Sequence, residues 1–440
     1  MKKLLIVLLS GLLIAGCKGE PGSVGNPDVL TPTRTVGTGS GDLAVDGQAL
    51  GIQPGDVVAI APGSYKSLAF SNLTGTPEKR VTLVANGLVE VVGGGLSLTD
   101  VSYLTVTGGA TAKNLLLRDN AYRGITISGR IPHALTLQGF RLRNIADYAV
   151  HYDNTATYDG TDATTLTDFK LLNSEFDNAG TVQISGNLDN SSGLVNTGFC
   201  KNPEVANCSF RDNPTVGTCL FFGNMEGGNI HHNVVDKVNT KNDNHNGVFF
   251  LNGNGSVHHN KCTNHQGNFV RFWIFSQGNT PKDVMMYDNI VWNSRKYSAL
   301  EVQSFARFIT PGVATYGNVR VINNTVGRLN TTLPTEFVGL VVDVYNLFGG
   351  DLQIVNNLSF NQVRTAANDG IWSQQSTTTP SLTANNRYFT TASAAGLVDL
   401  VAFRLRPNSP AKRAGAHQPD LAYDYYGVKR TNPPSVGAVE

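Results

Sequence analysis

Between His245 and Gln303 this chain gathers residue types that could act on an acidic substrate. The segments NDNHNG, NHQGN and NSRKYS carry His245 and Asn246, His265 and Gln266, and Arg295, Lys296 and Tyr297. Each precedes a short run of alternating apolar residues, NGVFFLN, NFVRFWI and SALEVQS. Successive side chains of a strand point to opposite faces. With Val248, Val270, Leu300 and Ile371 turned inward, Phe249, Arg271, Glu301 and Trp372 fall in one outward column, and Leu251, Trp273 and Gln303 in the next. Upstream, GITISGR, YAVHYDN and TVQISGN add Thr126, His151 and Gln183 to the first column and Ser128, Asp153 and Ser185 to the second. A face that mixes aromatic rings with charge suits a sugar polymer, because rings stack on sugars while charged and amide groups hydrogen-bond hydroxyls and carboxylates.

The chemistry expected of that face is elimination from a uronic-acid polymer. It requires a neutralised carboxylate, a base for the neighbouring proton and an acid for the leaving oxygen. Arg271 would neutralise the carboxylate, Lys296 or His265 would be the base and Tyr297 the acid, with Phe249, Trp273, Glu301, Gln303 and His245 binding the sugars. A hydrolase would need two carboxylates flanking the bond. Glu301 has no such partner nearby in sequence; Asp343, on the following coil or the one beyond it, is the nearest, so elimination is preferred. Two structural alternatives stand beside this reading. Arg271 and Glu301 could be a cross-strand ion pair, which on a surface contributes at most about 1 kcal/mol, with Trp273 packed under a loop. The alternative for the whole chain is a non-catalytic, glycan-binding or adhesive surface solenoid.

What would position these residues is a repeat. The phrases LLNSEF, VANCSF, IHHNVV, VHHNKC, MYDNIV, VINNTV and IVNNLS, with a weaker TANNRY, each end an apolar run in a polar turn. Aligned, they place Ser174, Cys208, Asn233, Asn260, Asn289, Asn324, Asn357 and Asn386 at one position, at intervals of 34, 25, 27, 29, 35, 33 and 29 residues. A variable period built on β-branched alternation predicts an all-β fold, a single-stranded right-handed parallel β-helix of roughly a dozen coils with capped ends. Stacked coils bury a core that one coil cannot. At the strand-to-strand spacing the rod would be about 55 Å long, a shape suited to an extended polymer.

The turn residues are read as structural. Asparagine tolerates left-handed dihedrals and can hydrogen-bond its counterpart on the next coil. The doublets His231-His232 and His258-His259 invite a metal, but His232 and His259 align with Asn173, Asn207, Asp288, Asn323, Asn356 and Asn385, so a polar ladder explains them and neither a metal nor a cofactor is assigned. Cys200, Cys208, Cys219 and Cys262 match no metal spacing; oxidised pairs and reduced packing residues both remain open.

Lys2 and Lys3, the apolar run Leu4 to Ile14 and Ala15-Gly16-Cys17 form a secretion signal too short to span a bilayer. The Ile-Ala-Gly-Cys ending resembles the bacterial lipobox, which implies residues 1–17 as a lipoprotein signal, lipidation at Cys17 and a membrane contact through that anchor only. Residues 18–30 read as a flexible tether and 31–440 as one β-helix domain, closed by a cap over about 400–440. Lys18 suggests the outer membrane if the source is Gram-negative, with the periplasmic or surface face undetermined. A net charge of +1 with 15% charged residues argues against a nucleic-acid partner; polysaccharide is the expected partner, and a monomer the expected state.

Two stretches carry a family resemblance. Pro54-Gly55-Asp56-Val57-Val58, Pro62-Gly63-Ser64-Tyr65, Gly75-Thr76-Pro77 and Val81-Thr82-Leu83 look like the opening coils of the chondroitinase B and alginate lyase type of β-helix, and of pectate-lyase-like secreted proteins. Leu405-Arg406-Pro407-Asn408-Ser409-Pro410-Ala411, Asp424, Gly427, Arg430 and Val436-Gly437-Ala438-Val439-Glu440 resemble the closing segment of many right-handed β-helix proteins. The resemblance covers both ends and implies fold. That family's calcium cluster and its catalytic Lys followed by Arg do not carry over, since no Glu-x-Glu stands in the central coils and Arg271 precedes Lys296.

Overall fold

The computed structural model describes residues 30–109, 111–188, 196–332, 337–365, 370–374 and 379–440. Cys17, the proposed signal and most of the tether lie outside them. Short strands rich in Val, Ile, Leu and Thr stack in parallel, coil upon coil, in three columns. The turn-preceding column shows the stacking most plainly. It runs from Arg34–Val36 through Val57–Ile60, Val81–Ala85, Leu104–Thr107, Thr136–Gln138, Lys170–Leu172 and Glu204–Ala206, then through residues 229–231 and 256–258 to Asp283–Tyr287, Asn318–Ile322, Leu352–Val355 and Leu382–Ala384. The chain is a parallel β-helix of roughly a dozen coils, as its repeat predicts.

The turn that follows this column divides its labour between two residues. Asn173, Asn207, His232, His259, Asp288, Asn323, Asn356 and Asn385 take left-handed backbone, with φ between 49° and 59°. The sequence reading put that conformation on the ladder asparagines themselves; it belongs to the residue before each. The ladder residue is then free to turn inward, and Asn233, Asn260, Asn289, Asn324 and Asn357 are fully buried. Each Nδ2 donates to the Oδ1 of the next coil's asparagine at 2.9–3.0 Å, ending on Asn386. Each Nδ2 also donates to a carbonyl of the preceding coil, such as Ile230 for Asn260 and Val257 for Asn289. Cys208 continues the column by donating its backbone N–H to Asn233.

His232 and His259 hold the left-handed position and stack on each other, while His231, His258 and Tyr287 stack beside them on the outward face. Burial drives His258 down to about 2, His259 to about 3 and His232 to about 4, so these rings are neutral packing groups. Among the described residues no group of three or more His, Cys, Asp or Glu is placed to hold a metal. The four described cysteines are unpaired and buried, and burial raises the thiols of Cys208 and Cys219 to about 12 and those of Cys200 and Cys262 likewise upward.

Residues from Ala395 to Val439 cover the column after the ladder, packing on Ile290, Leu358 and Phe360. Arg430, from this segment, reaches the fully buried Asp288, whose carboxyl burial still lifts to about 7. No helix among the described residues is long and apolar enough to cross a membrane.

Candidate active site

The remaining column of strands carries the predicted site, and its register corrects three residues. Leu220, Phe249, Val270, Leu300, Val342 and Trp372 are successive partners, and so are Phe222, Leu251, Phe272, Val302 and Val344. Both rows face the core. Phe249 and Leu251 are therefore completely buried rather than outward, and Trp372 packs against the core. The sequence reading assumed that Val248 marks the inward face, but Val248 and Phe249 are both buried where the chain enters the sheet. The outward row is Thr126, His151, Gln183, Phe221, Phe250, Arg271, Glu301, Asp343 and Ser373. Phe250 is thus the outward ring that was missed. Asn252 signalled it: two residues on, it shares the face of Phe250, and an inward Asn there would leave its amide in the core.

Outward does not mean exposed here. Glu301 is only 1% exposed and holds two partners at once, Arg271 Nε at 2.9 Å and His245 Nε2 at 2.6 Å. Gln303 donates to the same carboxylate and is itself fully buried. Arg271 Nη1 donates to the His245 carbonyl at 3.3 Å, and its guanidinium lies 5.7 Å over the Phe250 ring and 6.0 Å from that of Trp273. Asp343 is the next residue in the row, directly after Glu301. Burial first, and then the Glu301 charge, raise its carboxyl to about 6, against opposing pulls from His245 and Ser373.

His245 is the most accessible member, with 36% of its side chain exposed. Its Nε2 faces two acceptors, Glu301 Oε2 and Asn268 Oδ1, and Asn268 is oriented by donating to the Ser298 carbonyl. The proton therefore sits on Nε2, and Nδ1 carries the lone pair. Tyr297, in left-handed backbone with φ 72°, stacks its ring on His245 with centroids 4.2 Å apart.

The other predicted residues stand differently. His265 is fully buried with neither ring nitrogen hydrogen-bonded among the described residues, and burial lowers it to about 3, so it cannot reach a substrate as a base. Lys296 is 8% exposed and points at Asp243, 3.3 Å from its carbonyl and 3.7 Å from its carboxylate. Arg295 binds the same loop through the Thr240 and Asn242 carbonyls and Asp243. This Arg-Lys pair clamps the loop that delivers His245. Trp273 faces outward, but the turn at Ala306–Phe308 covers it: Phe305 and Phe308 pack on the indole and Arg307 lies 5.5 Å above it.

No family model matches the chain, and no curated protein does. Among solved structures it is similar to pectate lyase Pel9A at 15% identity, with 94% of this chain and 97% of that one covered and a TM-score of 0.48. A PL6 family polysaccharide lyase from Pseudopedobacter saltans is similar at 13% identity over 90% and 98% of the two chains, with a TM-score of 0.47. An alginate lyase from Paenibacillus follows at 14% identity, over 82% and 100%, with a TM-score of 0.40.

Proposed function

We propose that the protein binds an acidic polysaccharide along this outward row and cleaves it by β-elimination. The observation that supports this is the buried Glu301 carboxylate gripping Arg271 and His245 together. A carboxylate behind an imidazole fixes its tautomer and its orientation, as in other base-orienter pairs. In the proposed step His245 Nδ1 takes the proton from the carbon beside the uronate carboxylate. Arg271 stabilises the charge that develops on that carboxylate. The electron pair forms the new carbon-carbon double bond, the glycosidic bond breaks, and the Tyr297 hydroxyl protonates the departing oxygen. His245 thus takes the base role expected of Lys296 or His265.

Hydrolysis gains from Asp343 standing beside Glu301, a neighbour the sequence placed only loosely. It is still the weaker reading, because a carboxylate 1% exposed and committed to Arg271 and His245 cannot attack a sugar. Incubation with a panel of uronic-acid polymers, followed by ultraviolet absorbance of the unsaturated product, tests the elimination. Reducing ends without absorbance would establish hydrolysis, and binding without either would establish the adhesive role. We also propose export and lipid anchoring through Cys17; a Cys17→Ser chain should move from the membrane fraction to the soluble one.

A further inference from the structure

The catalytic candidates sit at the leading edge of their sheet, where each coil enters it. Five coils earlier the same edge carries a second group of similar character. Arg123 begins the strand Arg123–Ser128 and pairs with Tyr148 on the next coil. Its guanidinium lies 4.6 Å from the Tyr122 ring and 5.5 Å from the Tyr148 ring. Tyr122 is 59% exposed, the most open aromatic side chain on this edge. Tyr148 in turn leans on His151, the next-coil neighbour of Thr126 in the outward row. Among the described residues the only acid paired with Arg123 is Asp147, 3.8 Å from Nε, and that Nε has no hydrogen-bond partner there.

An arginine wedged between two tyrosines is held in place by ring contacts instead of by a tight carboxylate, so its charge is only loosely compensated. Arg271 likewise lies against two rings, Phe250 and Trp273, but there Glu301 also holds it at 2.9 Å. Between the two arginines the outward row offers Gln183 and the partly exposed, mutually packed rings of Phe221 and Phe250. Those rings face solvent on a sheet that could have carried polar residues there. Five coil steps separate the two arginines, about 24 Å along the axis.

We propose that Tyr122, Arg123 and Tyr148 form a distal subsite for the same acidic polymer, which lies along the coil axis with one carboxylate on Arg123 and a sugar ring against Tyr122. The inference rests on the acidic-polymer reading of the first site and adds to it the direction of the chain and a minimum length. A substrate must span the distance between the clusters to use both.

Calorimetric titration of the full chain with alginate and polygalacturonate oligomers of about three and about ten sugars, shorter and longer than that distance, tests it. The long oligomer of whichever polymer binds should bind more tightly than the short one. Arg123→Gln should lower the long-to-short affinity ratio roughly fivefold, and Tyr122→Ala, at an exposed position that folding tolerates, should do the same; Arg123→Lys should restore part of it. An equal loss for both lengths, or an unchanged ratio, overturns the distal subsite. Because binding is read without cleavage, a protein that shows the length effect but forms no unsaturated product keeps the subsite and loses the lyase reading. A wild-type chain that binds neither polymer overturns both.

Discussion

The asparagine turn and the Glu301 row lie on the same coils, and they use polar residues in opposite ways. At the turn, one residue type repeats, and each buried amide from Asn233 to Asn357 donates to the coils on either side. In the Glu301 row, every coil contributes a different residue, from Phe250 to Arg271, Glu301 and Asp343. Around it, Asn252 Oδ1, Trp273 Nε1, Gln303 Oε1 and Asp343 Oδ1 are buried without hydrogen-bond partners among the described residues. Buried polar groups are normally satisfied. The inward ladder amides are all satisfied, while beside them Asn323 Nδ2 and Oδ1 and Asp288 Oδ2 are buried without hydrogen-bond partners among the described residues. The repeated ladder marks the part of the molecule that holds it together, and the varied row marks the part shaped for something else.

The largest effect expected from breaking this contrast is on rate. His245→Ala removes the proposed base from a half-open position and should slow product formation by about 10²–10⁴-fold, with a thermal midpoint close to that of the parent. A parallel fall in stability would make His245 a packing residue. Asn289→Ala should do the reverse. It orphans the Asn260 N–H and amide and the Val257 carbonyl, a loss of roughly 3 kcal/mol, measurable by urea denaturation, while folded molecules keep their specific activity.

Asp343 gives a pH signature. Its folded carboxyl is raised to about 6, above the unfolded value near 4, so its contribution to stability is fully present below pH 4 and is lost as pH rises through 6. Asp343→Asn should remove that decline from the pH dependence of the unfolding free energy, without touching the steeper changes elsewhere. The smallest effect is expected at Lys296. As a clamp on the His245 loop it acts at a distance, and Lys296→Ala should cost at most about tenfold in rate. A loss as large as that of His245→Ala would return the base role to Lys296.

Much of the fold was legible in the sequence because the ladder is local and repetitive: eight aligned turns, each closing a short apolar run, leave little choice but stacked coils. The outward row was legible from His151 to Gln183 and from Arg271 to Glu301 for the same reason, since alternation of two fixes the face. It failed at Phe249, where two adjacent rings and a preceding Val are all apolar and alternation has no contrast to follow. It could not separate His245, His265 and Lys296 either. All three stand in polar segments of similar composition, although His265 ends the strand Lys261–His265, and which one reaches solvent depends on how Arg295 and Lys296 fold the 240–245 loop over the sheet edge, a contact between coils that no single segment encodes.

The most direct test of the central claim is the rate of unsaturated-product formation by Glu301→Gln, measured beside its thermal midpoint. The substitution keeps size and shape but removes the charge that orients His245 and Arg271. The account predicts a rate lowered by at least about a hundredfold in a folded protein. A folded Glu301→Gln chain that forms product at the parental rate would contradict it.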